Sequence, residues 1–258
     1  MNRSLLISFV KQDLVDRYAG SLLGSLWAFI LPLVNILIFT VIFSKVMGAR
    51  LEGLGAEFSQ YNYSIYLVSG VLAWNAFSAT ISRVTSCLHD RAGMISKVNI
   101  KLQYLPVYVL ISESIVYVIS MSFFVLFLLF IGYPITVEWL WLPLVFLLQQ
   151  LLAYTIGFTC AWLSVFIRDI KEIVPVVLQL WFWCTPIVYV IGMLPPSLQV
   201  YFEINPFYAF VNLYRQIIVT HSIEGFGGVL LWGGLSFFVL CFSLWLFSRL
   251  ERDVRDFI

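Results

Sequence analysis

Six stretches of this 258-residue chain are long and apolar enough to cross a lipid bilayer, and that decides its solvent before any finer feature does. A spanning helix needs about 20 mostly apolar residues, because each adds about 1.5 Å toward a hydrocarbon core of about 30 Å. The stretches run from Trp27 to Met47, Tyr63 to Ser82, Pro106 to Ile131, Trp139 to Phe166, Ile173 to Ile191 and Gly227 to Phe247. None shows the strict two-residue alternation of a transmembrane barrel strand. With 61% hydrophobic and 11% charged residues and a mean hydropathy of +0.95, one water-soluble globule could not hide the apolar surface. The pattern predicts an all-α membrane protein with six transmembrane helices in one domain spanning residues 1–258: an interface helix over 1–20, the bundle over 21–248 and a tail over 249–258.

Arginine and lysine orient it. An even number of spans puts the N-terminus, the Arg83 to Lys101 loop, the Arg168 to Lys171 loop and the tail on one side, where basic residues should collect. Arg3, Lys11, Arg17, Arg83, Arg91, Lys97, Lys101, Arg168, Lys171, Arg249, Arg252 and Arg255 make 12 of the 15; only Lys45, Arg50 and Arg215 fall elsewhere. Both termini are therefore expected in the cytoplasm, with the chain a multi-pass protein of the inner (cytoplasmic) membrane. Phe202 to Val219 is apolar enough to imitate a seventh span. Pro195, Pro196, Glu203, Asn205, Pro206 and Arg215 within or beside it, and the three tail arginines it would carry outside, argue instead for a re-entrant hairpin of two short helices in the outer leaflet, turning at Asn205-Pro206.

Between Leu5 and Tyr18, the residues Leu6, Phe9, Val10, Leu14 and Tyr18 fall near one helical face, and Lys11, Asp13, Asp16 and Arg17 fall off it, as in an amphipathic interface helix. Such a helix serves as a plain anchor or as a collar at a pore mouth. Between the second and third spans, Arg83, His89, Asp90, Arg91, Lys97 and Lys101 alternate with Met94, Ile95, Val98 and Ile100. That pattern suits a short helix offering its apolar face to a soluble partner, or a solvated basic loop. Glu113, about two turns into the third span, is the one deep acid, and marks either function or pairing with a basic group at the interface. His89 and His221 are isolated and read as solvated loop residues, and Cys87, Cys160, Cys184 and Cys241 as apolar packing groups.

Several chemistries are excluded. The net charge of +1 gives no footprint for nucleic acid. No lysine precedes serine or threonine, so the chain has no phosphate-binding loop of its own and binds no nucleotide cofactor. The acidic pairs Asp13/Asp16 and Asp253/Asp256 are interleaved with arginine, unlike the magnesium clusters of a polytopic prenyl or phosphosugar transferase. Aromatics at 17% include Trp27, Phe39, Phe43, Tyr66, Trp74, Phe77, Trp181, Trp183 and Tyr189 inside spans. They serve either as packing or as a pore wall whose ring faces stack on the C-H faces of sugars.

The run Arg17-Tyr18-x-x-Ser21-x-Leu23-Gly24-x-x-Trp27, then Pro32, resembles the entry to the first span of type-2 permeases of ATP-binding-cassette exporters. Phe166-x-Arg168-Asp169-Ile170, Trp183-x-Thr185-Pro186-Ile187-Val188-Tyr189 and Asn205-Pro206 match in order, so the likeness covers the chain end to end. It is nearest to the subfamily exporting lipid-linked polysaccharides: O-antigen, capsule and teichoic acid permeases. The resemblance implies a homodimer with two separate nucleotide-binding subunits carrying the ATP and magnesium. Their closure would be transmitted through the Arg83 to Lys101 loop, with its coupling helix between spans two and three, and through the N-terminal interface helix, with Arg83, His89, Arg91, Ile95, Lys97, Arg168 and Asp169 as coupling residues. It further implies a polymer on an undecaprenyl diphosphate carrier, passing between the first and fifth spans of two protomers. Trp27, Tyr66, Trp74, Trp181 and Tyr189 are then wall residues, with Phe39, Phe43, Phe77 and Trp183 nearby. Arg17 and Tyr18 stand at the diphosphate mouth, and Pro195, Pro196, Asn205 and Pro206 at an outer gate. A permease for drugs or other small hydrophobes is the alternative of the same class, and the transferase the alternative of another.

Overall fold

Secondary structure among the described residues is helical throughout. The computed structural model of the chain describes residues 3–17, 19–27, 30, 33–34, 37–38, 62–95, 102–193 and 195–257. Most of the expected first span therefore lies outside the described residues. The elements are α1 (Arg3–Asp16), α2 (Asn62–Asp90), a single turn Ala92–Ile95, α3 (Val107–Phe130), α4 (Leu142–Phe166), α5 (Ile170–Trp183), α6 (Pro196–Glu203), α7 (Pro206–Arg215), a π-helical turn Gln216–Thr220, and α8 (Phe226–Phe257).

Among the described residues, four stretches are long and apolar enough to cross a membrane: Tyr63–Asp90, Leu102–Phe130, Val137–Phe166 and Phe226–Glu251. Their burial sorts them. The most apolar windows of the first and third are 78% and 61% buried, against 28% and 22% for the second and fourth, so α2 and α4 form the central pair and α3 and α8 flank it. Small residues let that pair close: a Cβ at Gly157 of α4 would stand 2.9 Å from Val84 Cβ and 3.2 Å from the Ile81 carbonyl of α2. Side-chain hydrogen bonds tie the same helices where lipid offers none. Gln149 donates to the Ala73 carbonyl at 2.9 Å, Thr80 to Gln150 Oε1 at 2.9 Å, and Trp162 Nε1 to Ser243 Oγ on α8 at 3.1 Å.

Two apolar cores result. One, at the end carrying the chain's charged groups, packs Phe9 and Val10 of α1 with Val84, Leu88, Tyr108, Phe158 and Phe247. The other runs from mid-bundle to the far end and contains Phe77, Phe124, Val145, Phe207, Phe210 and Tyr214. Free Cys87 is fully buried in the first core, and Cys184 and Cys241 are exposed.

The structure alters the reading of the spans in two places. The fifth apolar stretch is not one helix: α5 has 14 residues, about 21 Å at 1.5 Å each, and ends at Trp183. Pro186 explains the stop, since it lacks the N–H that would continue the ladder, its ring collides with a carbonyl one turn back, and it drives Thr185 away from helical geometry. The short helices α6 and α7 meet at Asn205-Pro206, where the turn was expected, and α7 packs into the bundle: Phe207, Phe210, Val211 and Leu213 have no exposed surface. Finally, the expected sixth span is part of a 32-residue helix that continues as far as Phe257. Val254 is fully buried, and Glu251 Oε1 accepts from the Leu102 N–H at 3.1 Å.

Candidate functional site

The charged end is organised around one carboxylate. Glu113 sits two turns into α3 with 3% exposure, and its Oε1 accepts from both Arg17 Nη2 and Arg83 Nη1; the other arm of Arg83 reaches Asp13 Oδ1. Two cations thus neutralise two buried anions, which is what allows acids to persist at that depth. Asp13 corrects the reading of α1, since it shares the buried face with Phe9, one turn away, rather than lying off it. Glu113 follows the pairing reading. Arg91 stands 3.9 Å from Asp16 and lies over the Tyr108 ring.

The residues expected to receive an ATPase divide. Arg83 and His89 lie on α2 itself, which runs on to Asp90 where a loop was expected. His89 is no solvated loop residue: its Nε2 is 3.2 Å from the Ser164 carbonyl and 3.1 Å from Ser164 Oγ on α4. His221 does lie in a loop, half-buried before α8, with its Nδ1 3.2 Å from Thr136 Oγ1. Ile95 closes the single turn Ala92–Ile95, with its side chain outside the described residues, as is all of Lys97. Arg168 and Asp169 are exposed at the α4–α5 junction.

Beyond α5 the chain runs without helix through depth where lipid would leave its backbone unsatisfied, at several kcal/mol per group. Each carbonyl from Trp183 to Tyr189 instead has a donor. Tyr189 Oη serves Trp183 at 3.0 Å, Asn205 Nδ2 serves Cys184 at 3.3 Å, and the Ile187 N–H serves Thr185 at 2.7 Å. Arg215 Nη1 and Nη2 serve Pro186 and Ile187 at 2.7 Å each, Tyr63 Oη serves Val188, and Tyr66 Oη serves Tyr189 at 3.4 Å. Asn205, expected at a gate, is turned inward as a staple. Its Oδ1 caps α7 at the Phe207 N–H and accepts from Trp181 Nε1 at 2.9 Å, while its Nδ2 also reaches Thr185 Oγ1 at 2.9 Å. Pro206 follows at the first helical position and Pro195 is exposed. Of Pro196 only the backbone is described.

Arg215 is the residue sequence reasoning missed. It is 5% exposed, stands 3.5 Å from the centre of the Tyr66 ring, and also donates through Nε to the Tyr66 carbonyl at 3.4 Å. The niche exists because position 70 is glycine: a Cβ there would meet Arg215 Nη2 at 3.0 Å. Its failure to follow the arginine sorting, together with Thr185-Pro186 inside an apolar run, was the available signal.

The aromatic residues split as well. Trp74, Phe77, Trp181, Phe182 and Phe207 form one cluster, with Trp74 5.0 Å from Phe207 and Phe77 4.4 Å from Phe207 and 5.3 Å from Trp181. Phe77 has no exposed surface and is a packing residue, which removes it from a pore wall in this arrangement. Trp74 keeps one edge on a groove of about 670 Å³ between α2 and α5, lined also by Asn75, Ser78, Ser82, Gln179, Phe182 and Val188. Trp183 is 57% exposed, while Tyr66, Trp181, Tyr189 and Trp27 are half-buried. Phe39, Phe43 and Tyr18 lie outside the described residues.

The described residues thus form a helical bundle, with four stretches able to cross a membrane and a broken segment beside two short helices, as in a multi-pass membrane protein. The model of the ABC-2 type transporter family matches residues 4–219, and the chain belongs to that family. It is similar to the O-antigen export system permease protein RfbA of Myxococcus xanthus, at 28% identity over 92% of each chain. Proteins of the same name from Klebsiella pneumoniae match at 25% identity, one over 85% of this chain and 82% of its own length, another over 84% and 80%. The chain is thus a transport subunit rather than a catalytic enzyme, a multi-pass membrane protein whose family implies association with an ATP-binding partner.

Proposed function

We propose that the chain is the permease half of an exporter that carries lipid-linked polysaccharide, O-antigen on an undecaprenyl diphosphate carrier, across the inner membrane. The relatives' name supports the substrate class, and the groove between α2 and α5 carries the reading on the structural side. Asn75 and Gln179 are exposed amides in helices otherwise suited to lipid, and with Ser78 and Ser82 they face the Trp74 and Phe182 rings. Exposed polar groups at bilayer depth are costly unless a cavity or partner meets them. Amides and hydroxyls for sugar O–H groups, set beside ring faces for sugar C–H groups, make a lane for a saccharide.

In this reading two copies of the chain form the path. Each copy has six spans and both ends in the cytoplasm, with Trp27, Phe39 and Phe43 among the residues of the translocation path. ATP and magnesium sit on two separate nucleotide-binding subunits, which dock on the Ala92–Ile95 turn with Lys97 and on Arg168-Asp169. Arg17 and Tyr18 stand at the carrier's entry, where a diphosphate needs cations; unchanged export by Arg17→Ala would remove that role. The α6–α7 pair, from Pro195 and Pro196 to Asn205 and Pro206, borders the exit.

The test is Asn75→Leu with Gln179→Leu. Both substitutions suit a lipid-facing helix and so preserve the fold, and surface polymer is expected to fall about tenfold with membrane levels of the protein unchanged. Wild-type export by the double variant would refute the lane.

A further inference from the structure

We propose that Arg215 is a positioning residue for transport: its guanidinium fixes the broken stretch after α5 and sets the Tyr66 ring beside it, so that the re-entrant α7, the ribbon 184–190 and α2 move as one body. The inference rests on the polymer-path reading above and adds to it a residue that touches no substrate.

Among the described residues, Arg215 has no carboxylate partner. Its hydrogen bonds go to the main-chain carbonyls of Pro186, Ile187 and Tyr66, and its face lies on the Tyr66 ring. An arginine buried at bilayer depth without a counter-anion is expensive. What the cost secures is something a neutral side chain could not supply. A planar fork spans two successive carbonyls that a helix break leaves bare, while its flat face fixes a ring. A lysine in the same place would be a point charge with neither property.

The three elements joined by this one group are those that bear on the path. Tyr66 Oη donates to the Tyr189 carbonyl, and Tyr63 and Tyr66 stack with ring centres 6.2 Å apart. Asn205 fastens the start of the ribbon to the start of α7, and Arg215 fastens its middle to the end of α7. The ribbon is therefore tied at both ends of one short helix and cannot shift unless α7 shifts with it. Tyr66 and Tyr189 take their places from that tie.

The experiment uses the permease assembled with its partner ATPase in proteoliposomes, with lipid-linked polymer supplied on one side. Arg215→Lys keeps the charge and loses the fork; Arg215→Met loses both. Both are expected to assemble, with unstimulated ATP hydrolysis near the wild-type rate, and to export about tenfold less polymer or lower, the scale of loss when a supporting residue lets a site drift by about an ångström. Tyr66→Leu is expected to fall as far, and Arg215→Met with Tyr66→Leu to fall no further than either alone, as for two parts of one device. Wild-type export by Arg215→Lys overturns the proposal, as does a parallel loss of assembly and unstimulated hydrolysis, which would make Arg215 purely structural. If neither Arg215 variant assembles, additive losses across Tyr66→Leu and Asn205→Ala overturn it and non-additive losses support it. Full export by Arg215→Lys alongside loss in Asn75→Leu with Gln179→Leu sinks this inference alone, whereas a wild-type complex that moves no polymer sinks the reading beneath it.

Discussion

Arg215 stacks on Tyr66 at 3.5 Å and at the same time holds the carbonyls of Pro186 and Ile187, so one buried cation closes the account for a stretch of backbone that proline forbids from being helix. The arrangement depends on glycine at position 70. Gly70→Ala places a methyl 3.0 Å from Arg215 Nη2, and because the guanidinium is held by two carbonyls it cannot yield freely. The variant is expected to lose about 1–3 kcal/mol, read as a lower melting temperature in detergent, while Gly234→Ala, with open space around its Cβ, stays within about 0.5 kcal/mol.

At the charged end, Glu113→Gln keeps a neutral acceptor but removes the negative charge shared by Arg17 and Arg83. Breaking a buried pair from one side costs about 3–5 kcal/mol. The lower part of that range is expected here, because Arg17 and Arg83 keep 21% and 31% exposure and can turn toward water. Glu113→Met with Arg83→Met should not recover the loss, since it leaves buried Asp13 without Arg83 and Arg17 without Glu113. A double variant more stable than Glu113→Gln contradicts this.

Asn205→Ala removes a helix cap, an acceptor for Trp181 and a donor for Cys184 and Thr185. The cap alone is worth about 1 kcal/mol, and buried partners left unsatisfied add about 1–3 kcal/mol. Asn205→Asp keeps the acceptor and loses the donor, and should fall between Asn205→Ala and wild type when melting is compared.

The α2–α4 crossing predicts a steric limit. Gly157→Val forces branched carbon into a space where even Cβ would be 2.9 Å from Val84. Little folded protein is expected in the membrane, and Gly157→Val combined with Val84→Ala should recover some. Equal yields of the single and double variants would show that the crossing is not limited there.

How much of this could be read beforehand follows from where the information sits. Val107–Phe130 and Leu142–Phe166 were legible because a spanning helix is fixed by local composition alone. The turn at Asn205-Pro206 was legible because its residues carry their own geometry. The end of α5 was hidden although Thr185-Pro186 announced it, because an apolar run with a proline is also compatible with a kinked helix. The break is stabilised by groups distant in sequence, among them Tyr63, Asn205 and Arg215, the last brought in from 29 residues away to the freed carbonyl of Pro186. Asp13 was placed on the wrong face for a similar reason. Polarity alone assigns it to water, and its buried position is created by Arg83 from another helix. Charge sorting separated Arg215 from the other basic residues without saying what it does.

The most direct measurement follows the polymer in a strain lacking this chain. The account predicts carrier-linked polysaccharide accumulating in the cytoplasm, with surface polymer restored by the wild-type chain and not by Asn75→Leu with Gln179→Leu. Undiminished polysaccharide at the surface of the deletion strain would contradict it.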